Sequence, residues 1–387
     1  MKRNKAYKIR LYPTEDQIVQ MNKTFGATRF IWNAVLSYRK DLYASRQTSY
    51  SKNESIKAIT EIKQIDGYEW LSEVETVALQ QVLIDQDVSY KNFFRKIKRG
   101  KKTCVNFKSK HNNQSYRTIN VSNTIRVASK KIRLPKLKWI KFRYNKAIPE
   151  TETIKSVTVS KSRTGKFHAS ILVEYEFTPN SPKQLNVSEI FAADMSCKNF
   201  MISEQMEFKN QKFYRRNERR LKIRQRDLSR KVKGSNRRVR YKLFVAQTHE
   251  NIVNQRRGFW KNLVFELINK FDAFCFEDLN IDAMKRFNPG VSKTVSFDFS
   301  WTEFLTFLEW KCFDKNKHFV KISRWFPSSK MCSECGLIKE DLTLKDRTFK
   351  CECGFTIDRD VNAARNIKSV GIDDFTELGI EIYKFKE

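Results

Sequence analysis

Cys332-Ser-Glu-Cys335-Gly336 and Cys351-Glu-Cys353-Gly354 set two thiol pairs fifteen residues apart, each followed directly by a glycine. Four thiolates satisfy a closed tetrahedral Zn²⁺ site with no position left for water, so the spacing predicts one structural zinc rather than a catalytic one. The glycines let the backbone turn so that amide N–H groups face the sulfurs. Four buried reduced cysteines are the competing reading, and the polar stretch between the pairs cannot make the core they would need. A second set of candidates is acidic. Phe191-Ala-Ala-Asp194, Phe274-Cys-Phe-Glu277 and Asp358-Arg-Asp360-Val-Asn362 each set a carboxylate at the edge of an apolar or helical segment. Taken singly, such acids are more often solvated than catalytic. Converging, they would hold divalent cations that activate water and support a leaving oxygen, which is the chemistry of phosphodiester hydrolysis.

Composition names the partner of that chemistry. The chain of 387 residues carries 76 Lys+Arg against 43 Asp+Glu, a formal net charge of +33, and nucleic acid is the natural counterion for an excess of this size. No apolar run approaches the roughly 20 residues of a spanning helix, and Met1-Lys-Arg-Asn-Lys lacks a signal-peptide core, so an intracellular, nucleoid-associated protein with no membrane partner is expected. Clustered thiols in that setting bind metal rather than form disulfides. The other four cysteines, Cys104, Cys197, Cys275 and Cys312, are scattered singles.

The elements that must position these groups read in three blocks. Thr14-Glu-Asp-Gln17 is a capping-box pattern ahead of Ile18, Met21, Phe25, Ile31, Val35, Tyr38 and Leu42; a second, Ser72-Glu-Val-Glu75, precedes Leu79, Val82, Val88, Phe93 and Ile97. Residues 14 to about 98 are therefore expected to be helical. After the basic stretch 95–102 the period changes to two: Val157, Val159, the turn Ser162-Arg-Thr-Gly165, then Phe167, Ala169, Ile171, Val173 and Tyr175 predict a β-hairpin within a small antiparallel sheet or barrel. Pro179-Asn-Ser-Pro182 reads as a domain boundary. Beyond it come strands near 190–194, 199–203, 271–276 and 319–322. Between the second and third, fourteen of the 28 residues 215–242 are Lys or Arg and two are acidic, with only Leu221, Leu228, Tyr241 and Leu243 as a thin apolar stripe. A solvated helix face is the ordinary account of such a run; a helical pair with one side against the domain and the other against phosphates is the reading favoured here.

The order of several short motifs resembles TnpB, the transposon-encoded RNA-guided nuclease family related to type V CRISPR effectors and Fanzor proteins. The resemblance covers nearly the whole chain. It rests on Lys8-Ile-Arg-Leu-Tyr-Pro13, Phe25-Gly-Ala-Thr-Arg-Phe-Ile-Trp-Asn33, Phe107-Lys-Ser-Lys110, Leu228-Ser-Arg-Lys231, Asn251-Ile-Val-Asn-Gln-Arg256, Glu277-Asp-Leu-Asn280, Trp325-Phe-Pro-Ser-Ser-Lys330, the four cysteines, and Asp358-Arg-Asp-Val-Asn-Ala-Ala-Arg-Asn-Ile367. It implies an α+β multidomain chain. A wedge β-barrel would span 1–13 and 110–182, with a helical recognition lobe at 14–109 inserted in it. A RuvC-type, RNase H-like nuclease domain would span 183–387, carrying a basic helical segment at 210–262 and the zinc knuckle at 328–357.

By the same resemblance Asp194, Glu277 and Asp360 are the catalytic carboxylates and hold two Mg²⁺ ions, with Mn²⁺ as a substitute. Asp358 is a neighbour, because Asp360 fits the family's Asp-x-Asn-Ala helix start. Cys332, Cys335, Cys351 and Cys353 hold one structural Zn²⁺. The implied partners are a guide RNA from the transposon end and double-stranded target DNA beside a short motif, the protein acting as a monomer in the RNA complex. Guide pairing would read the sequence while the protein reads backbone and shape. Phe25, Arg29, Tyr38 and Arg39 are offered for nucleic-acid contact against the plainer reading of a packed helix. One departure stands out: Asp194-Met-Ser196 has serine where the family has glycine, which would strain an unusual backbone angle and slow cleavage. That departure supports an alternative, a guided DNA-binding repressor. A zinc-containing transposase that needs no guide is a third reading.

Overall fold

Alternating burial of Tyr7, Ile9 and Leu11 makes Lys2–Tyr12 a half-buried strand, β1, as period two requires. The computed structural model describes all residues except 47, 49, 112, 145–147, 149–151, 179–183, 197, 282, 285–293, 344–345 and 384–387. Cys197 and the proline-bounded stretch 179–182 thus lie outside the described residues. The chain divides into two units, Met1–Thr178 and Pro179–Glu387. In the first, β1 is followed after the helices by β2 (Gln114–Ile119), β3 (Arg126–Ala128), β4 (Lys131–Leu134), β5 (Lys138–Arg143), β6 (Thr153–Lys161) and β7 (Phe167–Glu176). They form one antiparallel sheet in the order β2-β6-β7-β1-β5-β4-β3. The β6–β7 hairpin is closed by Gly165 at φ +81°, a conformation that favours glycine. Among the described ladders none joins β2 to β3, which stand at the two ends of the strand order.

The helical stretch expected from 14 to 98 resolves into α1 (Glu15–Arg46), α2 (Lys52–Gln64), a 3-10 turn at Glu69–Glu73 and α3 (Thr76–Ile97). The box at Thr14 forms: its amide donates to Gln17 Oε1 at 3.0 Å and the Gln17 amide returns to Thr14 Oγ1 at 3.5 Å. The second expected box does not. Ser72 sits inside the 3-10 turn, α3 is capped at Glu75 without a side-chain bond, and the Glu75 carboxylate instead accepts from Thr118 Oγ1 at 2.5 Å. A reciprocal box that the sequence reading passed over, Ser51-Lys-Asn-Glu54, starts α2, where Ser51 and Glu54 exchange bonds of 3.2 and 2.7 Å. Asn33 on α1 both donates to and accepts from the backbone of Lys108, and Trp32 Nε1 donates to Asn106 O. Those bonds tie the Phe25–Asn33 stretch to the Phe107–Lys110 stretch.

In the second unit, β8 (Gln184–Asn186) pairs with the last strand. Next come β9 (Ile190–Asp194), β10 (Met201–Ser203), β11 (Glu207–Phe208), α4 (Phe213–Ser229), α5 (Asn236–Lys270), β12 (Ala273–Glu277), a π-helical turn at Thr294–Phe299, and α6 (Trp301–Asp314). The chain then continues through β13 (His318–Ile322), β14 (Thr348–Lys350), β15 (Thr356–Asp358), α7 (Arg359–Glu377) and β16 (Glu381–Tyr383). The main sheet is mixed, in the order β11-β10-β9-β12-β13, with β9, β12 and β13 parallel to one another. Both faces are covered, as parallel strands require. Phe191, Ala193, Phe274 and Phe276 meet α5 and α6 in one core; Ile190, Ala192, Ala273 and Cys275 meet Ile367 and Phe375 of α7 in the other. Among the described residues no helix is long and apolar enough to cross a membrane.

Candidate functional site

Strand parity decides where the acids point. Because alternate residues of a strand face opposite sides, Asp194 follows Ile190 and Ala192, and Glu277 follows Ala273 and Cys275, onto the face covered by α7. The parallel register pairs Cys275 with Ala192; carried two residues further, it brings Glu277 level with Asp194 at the carboxyl ends of neighbouring parallel strands. Crevices beyond such strand ends are where α/β sheets bind ligands. Asp360 enters from the first turn of α7, held there because Asp358, the N-cap, accepts from the amides of Asp360 and Val361 at 2.9 and 3.2 Å. Asp358 therefore has a capping role.

Asp194 responds to its burial and to the other two acids. Burial first, then Asp360 and Glu277, push the Asp194 carboxyl up to about 7, against a smaller opposing pull from Arg359 and the Met195 amide. Burial also pushes Glu277 up to about 6, opposed by a hydrogen bond from Ser328 and reinforced by Asp278. Asp278 is itself paired with Arg324. Asp360, 7% exposed, accepts from Ser196 Oγ at 2.9 Å on one oxygen and from Arg359 Nη2 at 3.3 Å on the other. Like charges are thus gathered in a partly buried place with one nearby guanidinium, an electrostatic deficit that a divalent cation would relieve.

The donor set fits hard cations, which take carboxylate oxygens. The acids are set wider than the thiols: among the described residues only the four cysteines form a group of three or more candidate ligands with donor atoms all within 4.8 Å of one another.

That thiol group matches its expectation in geometry. Sγ of Cys332 and Cys353 lie 3.9 Å apart and those of Cys335 and Cys351 3.5 Å apart. A tetrahedron built on Zn–S bonds of about 2.3 Å has edges of about 3.8 Å. Gly336 and Gly354 take φ of +78° and +89°. Amides of Leu337, Cys353 and Phe355 donate to the sulfurs of Cys335, Cys351 and Cys353. Of the single cysteines, Cys275 and Cys312 are buried and Cys104 is exposed.

Two buried asparagines join the knuckle to α7, and the sequence reading missed both. Asn362 accepts from the Ser333 amide at 3.0 Å and donates to Met331 O at 2.7 Å; Asn366 donates to Ser328 O at 2.8 Å and Met331 O at 2.6 Å. The motif Asp358-Arg-Asp-Val-Asn already contained the first of them, at the helical spacing that faces the neighbouring loop.

Other expectations change. Ser196 is absent from the residues with positive φ, so the serine carries no left-handed strain, and the observation offered for a repressor disappears. Phe25 is buried against Tyr116 and Arg39 is buried on Ser55 Oγ, so neither is free to meet nucleic acid. Tyr38 is exposed, and Arg29, bonded to Gln114, lines a groove of about 590 Å³ with Lys23, Phe30 and Trp70. In the basic pair, Leu221 is the buried residue of α4, while Arg224 and Arg238 staple carbonyls of Phe244, Leu228 and Lys231. Arg216, Arg219 and Arg220 line an adjoining groove beside Tyr241.

Three family models match: "Cas12f1-like, TNB domain" over residues 301–367, "Helix-turn-helix domain" over 1–48 and "Probable transposase" over 170–288. Over the second of these the structure is one strand and one continuous helix. A "Putative RNA-guided DNA endonuclease" of Streptomyces pristinaespiralis is 34% identical over 368 residues, 95% of this chain and 89% of that protein. A "Putative RNA-guided DNA endonuclease InsQ" of Escherichia coli (strain K12) is 28% identical over 386 residues, 96% of this chain and 93% of that protein. A TnpB-like protein of Acanthamoeba polyphaga mimivirus is 32% identical over 133 residues, 32% of this chain and 24% of that protein. With near full-length identity of that order on top of the shared motifs, the chain belongs to the TnpB family.

Proposed function

We infer that the chain is an RNA-guided DNA endonuclease encoded by a transposon, cutting target DNA in one RuvC-type site formed by Asp194, Glu277 and Asp360. The observation that carries the reading is that β9 and β12 end in Asp194 and Glu277 on the face covered by α7, whose first turn holds Asp360, with the Asp194 carboxyl raised by burial first and then by Asp360 and Glu277. The mixed sheet, with a C-terminal helix laid across its first and later parallel strands, supports the RNase H-like assignment. Two divalent cations, Mg²⁺ in the first instance, would supply Lewis acidity to the scissile phosphate and lower the pKa of the attacking water.

The protein's own part is arrangement. Asp194 and Glu277 stand side by side at strand ends, Asp360 closes the set from a capped helix, and Ser328 and Ser196 orient two of the three. The thiolate cluster, with four sulfurs and no open position, serves structure; Asn362 and Asn366 pass its order to α7. The remaining parts follow the family. The Met1–Thr178 unit would act as wedge and recognition lobe, and the arginine-lined groove of α4 and α5 would meet phosphates.

Two measurements test this. Purified from its host, the full chain is expected to carry a discrete RNA; its absence would favour the guide-free transposase. With that RNA it should cut a matched target in Mg²⁺, and Asp194→Ala should lower the rate by at least about 100-fold. Equal cutting by the two proteins would end the assignment.

A further inference from the structure

We propose that Ser196 is a positioning residue that fixes the Asp360 carboxylate for cation binding. Ser196 Oγ donates to Asp360 Oδ2 at 2.9 Å across 164 residues of sequence, and both residues are only 7% exposed, so the bond is largely shielded from solvent. The hydroxyl is held in turn: the Lys198 amide donates to the same oxygen atom at 3.4 Å, which leaves the hydroxyl proton free for Asp360. Ser196 also follows Asp194 by two residues, so one short turn carries a site carboxylate and the donor that orients another.

A carboxylate on the first turn of a helix has two rotatable side-chain bonds, and a metal ligand with loose torsions loses affinity to ordering. The backbone of α7 is fixed by the Asp358 cap, but that cap leaves the Asp360 side chain free to turn. Ser196 removes the remaining freedom. As a neutral donor it orients the carboxylate without cancelling its charge, unlike Arg359, which pairs with the other oxygen. Glycine at 196 could make neither bond. Since Ser196 is not among the residues with positive φ, its side chain rather than a left-handed backbone accounts for the residue. A similar arrangement serves Glu277, which accepts from Ser328, itself 4% exposed.

The proposal rests on Asp360 being a cation ligand, and the experiment separates the two claims. Full-length wild type, Ser196→Ala, Ser196→Gly, Ser196→Thr and Asp194→Ala, each purified with its RNA, are titrated with Mn²⁺ while free Mn²⁺ is counted by electron paramagnetic resonance. Zinc content and RNA retention in EDTA are measured alongside. Loss of a partner that orients a metal ligand costs about tenfold or more in affinity. Ala and Gly are therefore expected to bind Mn²⁺ about tenfold more weakly and to need about tenfold more Mg²⁺ for half-maximal cutting, with zinc and RNA unchanged, while Thr, which restores the hydroxyl, recovers most of the loss.

Wild-type affinity in Ala and Gly, or no recovery in Thr, overturns the role. So does loss of zinc or RNA in Ala, because the bond would then serve folding. If Asp194→Ala binds Mn²⁺ like wild type, the three-carboxylate site falls and Ser196 with it. If Asp194→Ala loses the ion while Ser196→Ala keeps it, only the role of Ser196 is lost.

Discussion

At the scale of single residues the site is a balance of repulsion and support. Asp194 at about 7 and Glu277 at about 6 stand above the ordinary carboxylate range near 4, chiefly through burial. With folded values above unfolded ones, the folded protein holds more protons between about pH 4 and 7, so its cation-free stability falls as pH rises through that window. Asp194→Asn removes the repelling charge. In EDTA it should melt above wild type at pH 7.5, the gap closing toward pH 5, as differential scanning fluorimetry can follow; a gap independent of pH would show that the Asp194 carboxyl is not raised in the folded protein. Protons released on Mn²⁺ binding, read by calorimetry in two buffers, should likewise be more numerous at pH 6 than at pH 8. These acids were legible as candidates because each stands at the edge of an apolar or helical run. Their coupling was not, since it depends on strand parity and register that only the folded sheet fixes. Ser196 illustrates the limit: the sequence showed a departure at that position, whereas the bond that gives it meaning reaches a residue 164 positions away.

At the scale of elements, α7 is the part on which the site turns. Its close seat on the sheet depends on Gly371, where an added Cβ would come 2.2 Å from Cys275 Sγ and 2.7 Å from Cys275 Cβ. Gly371→Ala should cost about 1 to 3 kcal/mol of stability through overpacking, measured by denaturant unfolding, and should weaken Mn²⁺ binding because Asp360 moves with the helix. Unchanged stability would show that the helix can shift without cost. The other anchor is the thiolate cluster acting through Met331, Ser333 and the two asparagines. Cys332→Ser should lower zinc content and loosen α7, seen as faster amide exchange in Arg359–Glu377, while the hairpin β6–β7 keeps its protection. Helix existence, the hairpin and the cysteine pairs were readable because local chemistry determines them: a reciprocal cap at Thr14, a glycine at positive φ, thiols at ligand spacing. The box at Ser72 failed because a neighbouring strand captured Glu75 through Thr118, a tertiary bond that local pattern cannot weigh.

At the scale of the whole molecule, a net charge of +33 sets how the protein meets its partners. RNA and DNA binding should weaken steeply between 50 and 200 mM salt, by about 1000-fold or more if six or more phosphates are neutralised. Neutralising Arg216, Arg219 and Arg220 together should flatten that slope, and an unaltered slope would remove α4 from the contact surface. Charge alone told the class of partner and not its location, since some basic residues bond carbonyls within the helical pair, as Arg224 and Arg238 do. The central claim is that Asp194, Glu277 and Asp360 share divalent cations. The most direct test is an anomalous difference map from crystals of the full chain with its RNA and a matched target, soaked in Mn²⁺. The account predicts two peaks about 4 Å apart within coordination distance of all three carboxylates; Mn²⁺ bound elsewhere, with these acids untouched, would contradict it.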